Sequence, residues 1–239
     1  MVIRRIVALL LAAIVAVWWG VAPADAEWNL DLYGGAAWIP NSDLTVRGQD
    51  NTGASINATI FDLDTNPGFT VGTRVSYWLN PLPFLGFDLD VFYMQLPVPH
   101  QTTTATGGFT GEFLGKPISV GASGVAPIPS ATLPIFGFAP ELRLRWPLLV
   151  DAAFPYGRLQ PYFTGGPAWA FSLKNEHLVV EFGGKVGGGV TFLIKPWLGI
   201  YTEYRYIFFP GFELTTDRSL TYKANINSHT VVGGLSFRF

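Results

Sequence analysis

The chain has 239 residues, a formal net charge of −2, 13% charged residues, 15% aromatic residues and no cysteine. That charged share is about half the roughly 25% of an ordinary soluble domain, so the sequence does not read as one whose whole surface meets water. Disulfides, thiolate metal sites and a cysteine nucleophile are excluded, and the near-neutral charge leaves no electrostatic case for binding nucleic acid.

The first 26 residues differ in character from the rest. Arg4 and Arg5 precede an apolar run from Ile6 to Ala22, and Ala24-Asp25-Ala26 follows. A basic start, an apolar core and small residues at −3 and −1 predict an export signal cleaved between Ala26 and Glu27. The alternative is an uncleaved anchor, for which the run lies at the lower limit of a bilayer span. Beyond Ala26 no apolar run is long enough for a membrane helix. An exported chain of membrane-like composition then has one spanning solution, a closed β-barrel, because lipid leaves every backbone polar group to be satisfied within the protein.

From Trp28 onward the residue character switches with a period of two, the signature of strands. Eight strands are predicted. The first, Trp28 to Ile39, sets Trp28, Leu30, Leu32 and Trp38 against Asn29, Asp31 and Tyr33. The segment Pro40 to Asn66 reads as a polar loop, with strand extension near Ala58 to Leu63. The second strand, Gly68 to Leu79, opposes Phe69, Val71, Val75 and Tyr77 to Thr70, Arg74 and Ser76, and the turn Asn80 to Pro83 leads to the third, Phe84 to Leu96, with Asp88 and Asp90 in its polar phase. Pro97 to Leu133, rich in Thr, Gly, Ser and Pro, reads as a long loop of the kind that is usually functional. The fourth strand, Pro134 to Leu149, alternates Phe136, Phe138, Leu142, Leu144 and Trp146 with Glu141, Arg143 and Arg145. The fifth runs from Arg158 to Phe171, and Leu173 to Glu181 reads as a short loop. Strands six and seven form a hairpin from Phe182 to Phe208 around Lys195-Pro196-Trp197, with Lys185, Glu203 and Arg205 opposite an apolar and aromatic face. A loop from Pro210 to Ser228 precedes the eighth strand, His229 to Phe239, in which Val231, Leu235, Phe237 and Phe239 oppose Ser236 and Arg238.

Long connections alternate with tight turns, the asymmetry of transmembrane barrels, and both termini fall on the short-turn side. The expectation is an all-β chain: residues 1–26 as signal and 27–239 as an eight-stranded antiparallel up-and-down transmembrane β-barrel. A soluble barrel would instead carry its apolar phase inward and a charged phase in water. Here the polar phase is built of glycines, including Gly35, Gly72, Gly187 and Gly189, with the acids Asp31, Asp88, Asp90, Glu141 and Glu203 and the bases Arg74, Arg143, Arg145, Lys185, Arg205 and Arg238. Near-equal numbers of opposite sign suit a paired network inside a narrow cylinder, whereas an arginine or lysine facing lipid near the midplane costs about 2–4 kcal/mol.

The run GFTVGTRVSYWLNPLPFLGFDLDVFY, PYFTGG at Pro161 to Gly166, EYRY at Glu203 to Tyr206 and the terminal GGLSFRF resemble the small outer-membrane barrels of Gram-negative bacteria, the eight-stranded OmpA-like, porin-like superfamily. The resemblance covers most of the mature chain. It implies location in the outer membrane with both termini periplasmic, contact with outer-membrane lipid and lipopolysaccharide, and a monomer. It also implies that Leu235, Phe237 and Phe239 form the signal read by the barrel assembly machinery. The sequence departs from full-length OmpA-like porins in lacking a peptidoglycan-binding segment after the barrel, so no cell-wall tether is inferred.

For function, the interior charges either close the lumen or conduct. An eight-stranded interior is just wide enough for side chains to fill, which favours a closed barrel with a structural or surface-interaction role through its outer loops. The alternatives are a narrow porin-type channel and a lipid A-modifying enzyme. One family of outer-membrane deacylases carries a His-x-Ser-Asn motif on a late strand, and none of His100, His177 and His229 stands in one. His229 follows Ser228, and adjacent strand residues point to opposite faces. No enzyme and no cofactor is expected. Asp62 and Asp64, with Asn66 nearby, offer too few oxygens to specify calcium. The long loop, with Thr102-Thr103-Thr104, Gly107-Gly108 and Phe109 to Phe113, is the expected place of any recognition.

Overall fold

The computed structural model describes residues 27–239, apart from residues 41, 50–54, 64, 80–81, 114–115, 129, 175–176 and 216–219. The predicted export signal lies outside the described residues. Twelve strands are present: β1 (Glu27–Trp38), β2 (Ser42–Gln49), β3 (Ser55–Leu63), β4 (Gly68–Leu79), β5 (Leu82–Val98), β6 (Gln101–Phe113), β7 (Lys116–Ile128), β8 (Ala131–Arg145), β9 (Leu159–Lys174), β10 (His177–Lys195), β11 (Leu198–Thr215) and β12 (Leu220–Arg238).

Eight of them, β1, β4, β5, β8, β9, β10, β11 and β12, pair antiparallel in that order, and β12 pairs back onto β1. The result is a closed up-and-down barrel. Partners followed once round from Trp28 through Tyr77, Phe87, Leu142, Gly165, Val186, Tyr206 and His229 return to β1 at Trp38, ten residues further on. A stagger of that size over eight strands tilts them by roughly 40° for ordinary strand spacings. Alternation then decides what faces inward. On β11, Tyr201, Glu203, Arg205, Ile207 and Phe209 are buried while Ile200, Thr202, Tyr204 and Phe208 are exposed.

The four other strands correct the reading of two loops. Pro40 to Asn66 contains β2 and β3, and Pro97 to Leu133 contains the hairpin of β6 and β7. Together they extend the sheet beyond the barrel: Leu44–Gly48 of β2 pairs with Leu220–Ala224 of β12, β2 pairs with β3, β3 with β6, and β6 with β7. The connections read at Leu173 to Glu181 and Pro210 to Ser228 are likewise mostly strand, since β9 runs to Lys174, β10 starts at His177, β11 reaches Thr215 and β12 starts at Leu220. The physical reason is that ladder hydrogen bonds come from the backbone, so a Thr- and Gly-rich segment without clear alternation still pairs when a neighbouring edge is offered.

On the β8–β9 seam, pairing is interrupted between Phe138 and Leu142, where the register sets Pro140 against Pro167 and neither residue has an N–H to give. The connection from β8 to β9, residues 146–158, is ordered. The Asp151 carboxylate accepts from the backbone N–H groups of Ala153 (2.8 Å) and Phe154 (2.9 Å). Gly157 takes φ 83°, with its Cβ position 2.7 Å from the Leu148 carbonyl oxygen, so no larger residue fits there.

Candidate functional site

The barrel interior is filled on two levels. In the half away from the chain termini the inward phase is apolar: Phe92, Met94 and Leu96 of β5, Ile135 of β8, Ile207 and Phe209 of β11 and Ile226 of β12 are all buried in one cluster. Toward the termini the same phase turns charged. These side chains meet because inward positions on neighbouring strands are aligned by register, as with Arg74 opposite both Asp31 and Asp90.

Arg74 donates to Asp31 (3.1 Å) and to Glu203 (2.7 Å). Arg143 pairs with Asp88 (2.8 Å) and reaches Asp31 (3.3 Å). Arg205 pairs with Glu203 (2.7 Å) and Asp90 (3.3 Å). Lys185 pairs with Glu141 (2.7 Å) and also with Asp90. Two tyrosines add donors, Tyr33 to Asp90 and Tyr162 to Glu203, each at 2.7 Å. Their rings lie under guanidinium groups: Arg205 sits 3.9 Å from the Tyr33 centroid and Arg143 sits 4.6 Å from that of Tyr162. Gly72 and Gly189 provide the seats, since a Cβ there would fall 2.3 Å and 2.7 Å from the two phenol oxygens.

Nine of the eleven charged residues singled out from the sequence thus form one connected cluster: Asp31, Arg74, Asp88, Asp90, Glu141, Arg143, Lys185, Glu203 and Arg205. The other two, Arg145 and Arg238, lie nearer the termini and are joined by Glu27, which the sequence reading did not include. Glu27 takes a two-pronged bond from Arg145 (2.9 and 2.7 Å) and pairs with Arg238 (3.2 Å). Arg238 also donates to Gln160. With Glu27 the acids of this network number six against six bases, and their charges balance. The available signal was position: Glu27 shares the inward phase of Asn29, Asp31 and Tyr33, but stands directly after the predicted cleavage point and reads as a terminus. Glu203 and Arg205, two apart on one strand, bond each other as well as reaching across.

The outer face is the complement. Between β1 and β12 the outward phase of every barrel strand is free of Asp, Glu, Lys and Arg over the apolar belt. Aromatic rings gather at its two margins. Away from the termini, Phe69 lies by Tyr93 (5.9 Å), Phe138 stacks on Trp169 (4.9 Å) and Trp169 meets Phe182 (5.3 Å). At the other margin Trp28 meets Tyr77 (4.9 Å) and Trp146 meets Phe163 (6.4 Å). Leu235 and Phe239 are exposed on this face and Phe237 is half-buried there.

The catalytic alternatives are placed as follows. His229 is half-buried on the outer face, stacked on Trp38 and hydrogen-bonded through Nδ1 to the Tyr204 hydroxyl, while Ser228 is buried on the inner face. His100 is exposed, and the His177 side chain lies outside the described residues. Among the described residues no group of three or more His, Cys, Asp or Glu is placed to hold a metal. Asp62 is exposed, and Asp64 is outside the described residues.

No family model matches the chain, and no curated protein matches it. Solved structures do. The outer membrane protein OprG from Pseudomonas aeruginosa aligns with 90% of this chain and 96% of its own at 10% identity, TM-score 0.50. Neisserial surface protein A aligns with 87% of this chain and 97% of its own at 12% identity, TM-score 0.40. The N-terminal β-barrel domain of Pseudomonas aeruginosa OprF covers 89% and 97% at 6% identity, TM-score 0.38. The likeness to OprG is one of fold, a closed eight-stranded antiparallel barrel of the outer-membrane kind.

Proposed function

We propose that the protein is a monomeric outer-membrane barrel of a Gram-negative cell, with its termini in the periplasm and a lumen closed to solutes. Its work is structural support and surface contact, the contact being made by the sheet of β2, β3, β6 and β7 outside the membrane. The observation that carries this reading is the two-level interior, in which the buried ion-pair cluster lies under the buried apolar cluster of Phe92, Met94, Ile135 and Phe209. An ion crossing the barrel would have to part buried charge pairs and then enter an apolar plug. The charge-free outer belt with aromatic margins supports the membrane setting, because it matches the apolar band and aromatic girdles of spanning barrels.

Purified barrel added to planar bilayers should give no reproducible unitary conductance steps. A stable single-channel level would replace this reading with that of a narrow channel. Catalysis forms no part of the proposal, since His229 stacks on Trp38 and faces away from Ser228. A change in lipid A mass in a host expressing the protein, lost in His229→Ala, would show the enzyme reading to be the right one.

A further inference from the structure

Every barrel cation described so far has a carboxylate partner. Two at the periplasmic margin do not. Arg158 precedes β9 and donates through Nε to the Leu193 carbonyl oxygen (3.2 Å). Its guanidinium lies 5.3 Å from the Phe154 ring centroid and 5.0 Å from that of Phe192. Lys195, exposed at the β10–β11 turn, holds its ammonium 5.5 Å from the Trp197 ring. Stacking fixes both cations without neutralising them, and among the described residues neither pairs with an acid. Phe154 and Trp197 also wall an open cleft of about 300 Å³ between the 146–158 connection, the 195–197 turn and Phe239. Glu27 lines the same cleft, but its two oxygens are held by Arg145 and Arg238.

The geometry points to a binding site for an anionic phospholipid of the inner leaflet, its phosphate held by Arg158 and Lys195, which stand outside the cleft lining but each beside one of its walls, and its glycerol end against Phe154 and Trp197. This rests on the membrane reading above. The position suits it: Phe192, Trp197 and Phe239 belong to the lower aromatic margin, where a spanning barrel meets headgroups. Guanidinium suits phosphate because its N–H groups match the paired oxygens, and among the described residues the Arg158 amino groups have no acceptor. Attraction of an anionic surface for a basic side chain is worth roughly a fivefold preference per charge.

The test refolds the protein into vesicles of phosphatidylcholine with an equal share of phosphatidylglycerol, extracts it in mild detergent and weighs it with its retained lipids by native mass spectrometry. Wild type should retain phosphatidylglycerol over phosphatidylcholine. The double variant Arg158→Gln with Lys195→Gln should lose that preference more than tenfold, while Arg158→Lys keeps most of it. Equal retention of the two lipids by wild type, or a preference unchanged in the double variant, would overturn the site. Should the double variant fail to fold, the exposed Lys195→Gln alone carries the comparison, with a several-fold loss expected. Failure of wild type to insert into either vesicle would sink the membrane reading instead.

Discussion

At the residue scale the interior divides into positions that tolerate change and positions that do not. Glu203 is buried and accepts from Arg74, Arg205 and Tyr162, each at 2.7 Å. Glu203→Gln leaves two buried guanidinium groups short of a counter-charge, and removing one partner of a buried pair costs about 3–5 kcal/mol. The loss should be visible as a lower urea midpoint in vesicles followed by tryptophan fluorescence. Glu27→Gln should cost less, because that side chain is 14% exposed and water reaches it. An unchanged midpoint in Glu203→Gln would mean that the cluster contributes nothing to stability. Glycines separate just as sharply. A Cβ on Gly166 would stand 2.1 Å from the Pro140 carbonyl oxygen, whereas nothing lies within 4 Å of one on Gly124. Gly166→Ala should therefore destabilise by roughly 1–3 kcal/mol as β8 and β9 are pushed apart, and Gly124→Ala should fall within about 0.5 kcal/mol of wild type.

At the element scale the hairpin of β6 and β7 is an addition to the barrel. Among the described residues it pairs outside itself only with β3, and Val98 already pairs with Ala131 where β5 and β8 leave the barrel. Replacing residues 99–130 with an Asn-Gly turn, which suits a two-residue hairpin, should preserve heat-modifiable gel migration and leave the melting temperature within a few degrees of wild type. Loss of the folded band would show that the outer sheet is needed to form the barrel. The alternation that revealed the barrel strands failed on these outer ones for a physical reason. Alternation arises where one face meets an apolar medium and the other does not, and a segment such as Thr102 to Gly108 carries no such contrast. It faded for the same reason in the apolar half of the barrel, where Val91-Phe92-Tyr93-Met94 is apolar on both faces because one face meets the belt and the other meets the plug.

At the scale of the whole molecule, orientation follows from where the strands begin and end. The lack of cysteine makes it measurable with single introduced thiols. Val125→Cys, in β7, should react with a membrane-impermeant maleimide on intact cells. Val150→Cys, in the connection between β8 and β9, should react only after the outer membrane is permeabilised. Both positions are exposed, at 73% and 59%, so failure to label reports sidedness and not burial. The opposite pattern would invert the proposed topology.

Read alone, the sequence was enough for the strand periodicity, the assignment of charged residues to one phase and apolar residues to the other, and hence a closed barrel with its charges inside. These are local properties: a side chain's face is set by its parity along the strand. Only the tertiary structure decided which charge meets which, since the pairs join positions as distant as Arg74 and Glu203, brought together by the ten-residue stagger round the barrel. It also decided that Glu27 balances the charges of the ion-pair network, that an apolar plug caps the charged cluster, and that two apparent loops continue the sheet. Each depends on what lies across the lumen or along a neighbouring edge, and parity along one strand carries no record of either.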